Sequence, residues 1–283
     1  FMVSDAALIF GDPTVDAVVE TLGGLDPAYS YGMRALEAGK HFITANKAMV
    51  AAHGLELAAL AREKGAAFLF SAACGGGVPF LHNLALSAET DRIEAVSGIL
   101  NGTTNYMLDA MQRRSLSYGD ALREAQSLGY AESDPTADVS GLDALRKMQL
   151  ACAVAFGVLP QSGMLCEGME HFTAADVEDI QSRGLVCRLM ARGSRAGESV
   201  SAYVEPVLFP RAAPESSVFT NNNMARYTGK RCGSIVLMGQ GAGRFPTASA
   251  VLRDLSAAQQ GARSMFPENC RAAEADNREA VNS

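Results

Sequence analysis

The sequence contains no CxxC pair and no cysteine–histidine spacing of the kind that holds zinc. Its six cysteines, Cys74, Cys152, Cys166, Cys187, Cys232 and Cys270, are scattered, and the simplest inference is a reduced, cytosolic compartment. Cys152 falls in an apolar helical stretch and reads as core. The four histidines, His41, His53, His82 and His171, do not cluster, so each reads as a structural or surface residue rather than a ligand. No apolar run approaches membrane-spanning length, and no signal peptide is visible. Basic residues are outnumbered, 24 against 31 acidic, giving a net charge of -7. No basic stripe interleaved with aromatics is present, which argues against nucleic acid and against an anionic membrane surface. The opening FMVSDAALIFGDPTVDAVVE reads as the middle of a domain rather than its start.

What is there is enough for a substantial core: 48% of the 283 residues are hydrophobic, and the length suits one large domain or two moderate ones. Ala17 to Leu22 is an apolar run ending at Gly23-Gly24, a buried strand closed by a turn. A helix is expected from Tyr29 to Ala38, closed by Gly39. A strand over His41 to Ala45 follows, then a helix from Lys47 to Lys64 closed by Gly65. Ala67 to Ala73 is a third strand running into Gly75-Gly76-Gly77, and helical spacing resumes from Val78 to Ser87. This alternation argues for a parallel sheet with helices on its faces. Ligands of such sheets bind beyond the carboxyl ends of the strands. The ends at Leu22-Gly23-Gly24, Ala45-Asn46-Lys47 and Cys74-Gly75-Gly76-Gly77 therefore define one expected cofactor cleft.

The pattern changes near Glu94. A strand over 94–100 leads to the polar turn Asn101 to Asn105, whose residues cap helices well. Helices are expected at Tyr106 to Arg113, Tyr118 to Leu128 and Glu178 to Ala191, and strands at Ser199 to Phe209 and Cys232 to Met238. Pro206 suggests an edge or a bulge. Gly239 to Gly243 is a flexible turn before a helix from Thr247 to Gln259. The resulting division is 1–93, 94–238 and 239–283. The second part mixes helices with an antiparallel or mixed sheet whose other face is free for self-association. The last helix returns to the first part, and the tail after Gly261 is expected to be less ordered.

The most informative stretch is GYAESDPTADVSGLDALRK, Gly129 to Lys147. Glu132, Asp134, Asp138 and Asp143 precede a single Lys147. From Gly141 the spacing is helical, with Leu142, Leu145, Met148, Leu150, Val154 and Phe156 on one apolar side. Asp143 and Lys147 are four apart and stand one above the other. A surface ion pair is the ordinary reading of that spacing. The dense acidic loop and the nearly uncharged helix beyond Lys147 argue instead for the edge of a buried region, where a lysine has an adjustable pKa and exchanges a proton with a hydroxyl.

Four segments carry a family resemblance: TANKA (Thr44 to Ala48), GILNGTTNYML (Gly98 to Leu108), YAESDPTADVSGLDALRK (Tyr130 to Lys147) and GQGAGRFPTASAV (Gly239 to Val251). In that order the chain resembles homoserine dehydrogenase from about Asp12 to Leu255. The resemblance implies an α/β fold, with a Rossmann-like parallel-sheet dinucleotide-binding domain and a second α+β domain for substrate and dimerisation. It implies reversible reduction of aspartate semialdehyde to homoserine with NAD or NADP in the route to threonine, methionine and isoleucine, by a cytoplasmic homodimer. Lys147 is then the proton-transfer residue with Asp143 beside it. Glu132 would hold the substrate ammonium, and Asp138 would complete the acidic pocket. Lys47 would lie where substrate and cofactor meet, and Asn101, Gly102 and Thr103 would line the same cleft. Leu22, Gly23, Asn46 and Lys47 would border the cofactor, with Gly241 and Gly243 in a loop closing over it. The family's Na+ or K+ site corresponds to the backbone carbonyls of Cys74, Gly76 and Val78. Where the family commonly supplies a glutamate before them, this chain has neutral Ser71, which weakens the expectation of cation binding.

Two departures accompany the resemblance. The family's opening strand and GxGxxG phosphate loop are expected ahead of Phe1, and no regulatory extension is expected after Gly261. Three functional readings stay open: an active dehydrogenase, favoured by the Asp143–Lys147 pair; a catalytically silent protein that binds a small amino acid or a partner subunit; and, least favoured given the length of the Tyr130 to Lys147 match, another semialdehyde or amino-acid oxidoreductase on a related fold.

Overall fold

The computed structural model describes residues 2–277. Short apolar strands alternate with helices at the start of the chain: α1 (Ala7–Gly11), β1 (Ala17–Glu20), α2 (Ala28–Glu37), β2 (His41–Thr44), α3 (Lys47–Lys64), β3 (Phe68–Leu69) and α4 (Phe80–Thr90). The three strands form a parallel sheet in the order β1-β2-β3, with Ala17 opposite His41 and Phe42 opposite Phe68. β3 is far shorter than the apolar run 67–73 suggests. The backbone leaves the ladder because the N–H and hydroxyl of Ser71 both donate to the Asp254 carboxylate, at 2.8 and 2.5 Å, and 71–73 become a 3-10 turn.

The second layer begins with β4 (Ile93–Ile99), α5 (Gly102–Arg114), α6 (Tyr118–Ser127), α7 (Thr136–Val139) and α8 (Leu142–Phe156). It continues through β5 (Val158–Ser162), β6 (Leu165–Cys166), α9 (Ala174–Ser182), β7 (Leu185–Ala196), β8 (Ser199–Pro210), β9 (Asn222–Gly229) and β10 (Gly233–Gln240). Six of these strands form one mixed sheet, ordered β10-β9-β4-β7-β8-β6, antiparallel except where β6 meets β8. Beyond Val204 the outer side of β8 has no partner among the described residues, so Pro206 lies on a free edge, as its missing N–H requires. α10 (Arg244–Gln259) then packs back on the first sheet, and β11 (Arg271–Glu274) pairs with β5.

Four expectations need correction. The helix expected over 178–191 ends at Ser182, and 185–196 form the long strand β7. Gly184 adopts φ +71, a left-handed turn that stops the helix. After it, Cys187, Leu189, Ala191 and Gly193 alternate toward the helices, the period of a strand. Strand β9 escaped the sequence reading, as did β5 and β6. The tail after Gly261 supplies β11, while the part of that expectation falling on 278–283 lies outside the described residues. Finally, the free outer face of the six-stranded sheet is covered in part. Ile99, Met190, Val218 and Met224 form a second apolar cluster there, and Asn105 holds the covering loop through the carbonyls of Val218 and Thr220 at 3.1 and 3.0 Å.

The placement of α8 matters most for the site. It touches α3 and α4 of the first layer and β4, β7 and β8 of the second. It is therefore buried around most of its circumference, Gln149 and Lys147 included, rather than along one apolar side. Near its start Leu142 and Arg146 reach solvent, which leaves Leu142 exposed instead of on the expected apolar side.

Asp254 fastens α10 to the end of β3 and is 1% exposed. Burial pushes its carboxyl up to about 6 despite the two hydrogen bonds from Ser71. The folded state then holds a proton that the unfolded chain has released, so stability is fully present below about pH 4 and is lost as pH rises toward 6. Urea denaturation across that window should show wild type losing about 2–3 kcal/mol relative to Asp254→Asn. Parallel pH curves for the two proteins would contradict this.

Candidate active site

The start of α8 lies beside the turn between β4 and α5. Asn101 caps α5, its Oδ1 accepting the Thr104 N–H at 2.9 Å. That fixes the direction of its amide, whose Nδ2 donates to Asp138 Oδ1 at 2.7 Å and to Asp143 Oδ2 at 2.9 Å. The cap also explains why α5 begins at Gly102 rather than at Tyr106. Thr103 Oγ1 is 2.6 Å from the Tyr130 carbonyl and 3.1 Å from Asp138 Oδ2. One helix turn along, Lys147 Nζ donates to Asp143 Oδ2 at 2.6 Å and to the Leu100 carbonyl at 2.7 Å. Lys47, the first residue of α3, reaches Asp143 Oδ1 at 3.0 Å. Lys47, Asn101, Thr103, Asp138, Asp143 and Lys147 are thus one hydrogen-bonded group.

The electrostatics follow from that geometry. Burial pushes the Asp143 carboxyl up, but the ammonium groups of Lys147 and Lys47 outweigh it and hold the group well below the usual carboxylate range. Burial likewise pushes Lys147 down, and Asp143 more than compensates, so its pKa lies above the ordinary lysine value and it is an ammonium at neutral pH. Asp138 is moved the other way: burial and the neighbouring Asp143 charge raise it. An ammonium has three N–H groups. Two are used by Asp143 and Leu100, and the third has no partner among the described residues.

The three strands end at the same edge of their parallel sheet. After β1, the buried Glu20 carboxylate accepts from the Leu22 N–H and the Thr44 hydroxyl. Asn46 caps α3 by accepting from Met49 N at 3.1 Å and donates to the Gly24 carbonyl at 2.6 Å. These bonds tie the first two ends together. Leu22 is left exposed, and no atom lies within 4 Å of where a side chain at Gly23 would project. At the third end, Gly77 N–H donates to the Gln240 carbonyl at 3.1 Å. A Cβ on Gly76 would come within 2.5 Å of the Gly241 carbonyl, so the two glycine turns touch backbone to backbone. Gly243 precedes α10 as its N-terminal flank. Leu22, Gly23, Asn46 and Lys47 at the first two strand ends, and Gly241 and Gly243 in the turn packed on the third, are the residues that would hold a dinucleotide.

Other expected residues stand apart. Glu132 is exposed and lies outside the hydrogen-bonded group; its backbone carbonyl accepts Gln126 Nε2 at 3.1 Å. Gly102 packs on the Asn221 carbonyl, which a Cβ would approach to 2.8 Å. Cys74 is buried, its Sγ 3.8 Å from the Lys147 carbonyl, and burial pushes the thiol up to about 12. The Val78 carbonyl already accepts Phe80 N–H at 2.7 Å. Among the described residues no group of three His, Cys, Asp or Glu side chains could hold a metal ion. Three participants were not foreseen: Glu20, the Leu100 carbonyl and Asn223. Asn223 closes the polar run Asn221 to Asn223 at the head of the unread strand β9, and that run was its only signal in the sequence.

Because Asp143 is what keeps the buried Lys147 charged, Asp143→Asn should lower the Lys147 pKa by about one unit or more. Competitive acetylation of Lys147 across pH, read by mass spectrometry, measures this without any assay of activity. An unchanged titration would mean the carboxylate does not control the lysine.

Comparison with known proteins bears on this arrangement. A sequence model of homoserine dehydrogenase matches residues 79–256, and a model of the homoserine dehydrogenase NAD binding domain matches residues 2–71. The chain is 37% identical over 256 residues to the homoserine dehydrogenase of Bacillus subtilis, covering 90% of this chain and 59% of the relative. It is 40% identical over 260 residues to that of Corynebacterium glutamicum, covering 90% and 58%. The chain thus spans a little under three fifths of these relatives. The crystal structure of a homoserine dehydrogenase from Thiobacillus denitrificans superposes with a TM-score of 0.88 at 35% identity, covering 96% of this chain and 66% of that one. A hyperthermophilic archaeal homoserine dehydrogenase mutant in complex with NADPH gives 0.75 at 28% identity, covering 90% and 73%. On these matches the chain belongs to the homoserine dehydrogenase family.

Proposed function

We propose that the protein interconverts L-aspartate 4-semialdehyde and L-homoserine with NAD or NADP. The observation that carries this reading is the buried Lys147 ammonium, bound by Asp143 and the Leu100 carbonyl with one N–H to spare. In the reduction direction, bound NAD(P)H supplies the hydride to the carbonyl carbon. Lys147 gives a proton to the carbonyl oxygen, which becomes the hydroxyl, and is left as a neutral amine that its two partners hold in place. In the oxidation direction the neutral amine takes that proton back. Asp143 holds Lys147 in place and sets which form prevails, and Asn101 fixes Asp143.

Charge sorts the ends of the substrate. Glu132 and Asp138 supply negative charge suited to an α-ammonium, and Lys47 supplies the positive charge suited to an α-carboxylate. Asn101 and Thr103 lie beside Asp138 between them, and Gly102 backs the same turn. A Na+ or K+ ion near Cys74, Gly76 and Val78 would be held by carbonyls alone, since Ser71 is occupied by Asp254. The protein acts as a homodimer through the outer face of the six-stranded sheet. There Val236 and Met238 of β10 are 43% and 57% exposed, opposite Arg226 and Met224. A cytoplasmic location suits its six free thiols.

The full-length protein should reduce NAD+ or NADP+ only when homoserine is supplied. Lys147→Ala should lower kcat by about 100-fold to 10,000-fold, with dinucleotide affinity unchanged in fluorescence titration. Binding of a small amino acid without any turnover would favour a silent binder instead. Sedimentation at micromolar concentration should give a dimer, and a monomer there would remove the sheet face from the account.

A further inference from the structure

We propose that Asn223 is a positioning residue that couples the Gly239–Gly243 turn to the Lys147 ammonium through the Leu100 carbonyl; the inference deepens the reading of Lys147 as the proton-transfer group and rests on it. Asn223 is 2% exposed. Its Nδ2 donates to the Leu100 carbonyl at 3.0 Å, and Lys147 Nζ donates to the same oxygen at 2.7 Å. Two donors thus share one acceptor. Each draws electron density from the carbonyl that would otherwise strengthen its bond to the other. The amide therefore weakens the hold of Leu100 on the ammonium and makes the proton easier to release.

The same amide lies under the glycine turn. A Cβ on Gly241 would come within 2.0 Å of Asn223 Cγ and 2.1 Å of its Nδ2. Only a glycine there leaves the amide in place. Gly241 is in turn the residue whose carbonyl meets Gly76 at the third strand end. A continuous column runs from Gly76 through Gly241 and Asn223 to the Leu100 carbonyl and Lys147. Asn223 Oδ1 has no hydrogen-bond partner in this column. Leaving a buried amide oxygen unpaired costs free energy that purely structural packing would avoid with an apolar side chain. The other groups acting on Lys147 are Asp143 on its own helix, Asp138 from α7 and Cys74 after β3, with Lys47 of α3 across Asp143. Asn223 is uncharged and reaches the lysine only through Leu100.

The test is the strength of the bond from Lys147 to the Leu100 carbonyl, read from the ammonium Hζ resonance of Lys147 by 15N-lysine NMR of the full-length protein at one fixed pH, in wild type, Asn223→Ala and Gly241→Ala. The first variant removes the amide, and the second displaces it from the opposite side. Both should move the Hζ resonance downfield as the bond to Leu100 strengthens, and both should lower kcat for homoserine oxidation by about threefold or more, with the KM for homoserine less affected. Gly241→Ala gives the same reading should Asn223→Ala fail to fold. If the resonance of the folded variants stays at its wild-type position, the coupling is overturned, even where their kcat is reduced. A shifted resonance in a protein that never oxidises homoserine would uphold the coupling and defeat the functional reading on which its purpose rests.

Discussion

The Lys147–Asp143 ion pair is the constraint on which the rest of the site depends. Two charges are buried on one helix turn, and neither is tolerable there alone. The fold meets that requirement with neighbours from both layers. Lys47 arrives from α3 of the parallel sheet. Asn101 and the Leu100 carbonyl arrive from the turn between β4 and α5. Because α8 is packed between the two layers, docking them and assembling this hydrogen-bonded group are the same event. A change at the layer interface should therefore be felt at the lysine before it is felt in either sheet.

The glycine turns give the second half of the design. They bring backbone against backbone where side chains would hold the loops apart, as at Gly76 and Gly241. Polar side chains then fix each turn from below: Glu20 and Asn46 at the first two strand ends, Asp254 at Ser71, and Asn223 under Gly241. The cleft is shaped by backbone, and α8 brings the charged pair to it. Such a division suits a ligand held along its length by main-chain surfaces and a reaction carried out at one end.

Much of this was legible in the sequence. The Asp143–Lys147 spacing, the Lys47 and Asn46 positions after β2, and the glycines at the other two strand ends follow from local periodicity and capping, and α3 runs from Lys47 to Lys64 as the spacing indicates. What escaped were features set by tertiary partners. β3 is cut short by a carboxylate 183 residues away. β7 hides in a segment whose helical spacing is broken only by Gly184, and β9 is a strand that only its neighbours β10 and β4 make visible. Asn223 could not be read as part of the site because its partner is a main-chain oxygen 123 residues distant. Glu132 is the reverse case: a prominent acid in the sequence motif that stands exposed, outside the hydrogen-bonded group.

The central claim is that the spare N–H of Lys147 addresses the reacting oxygen. A crystal structure of the full-length protein with homoserine and an oxidised dinucleotide tests it most directly. The account expects the homoserine hydroxyl within about 3 Å of Lys147 Nζ, with Asp143 and the Leu100 carbonyl still bound to the same nitrogen. A hydroxyl bound elsewhere in the cleft, with another side chain at hydrogen-bond distance and Lys147 contacting only the protein, would contradict it.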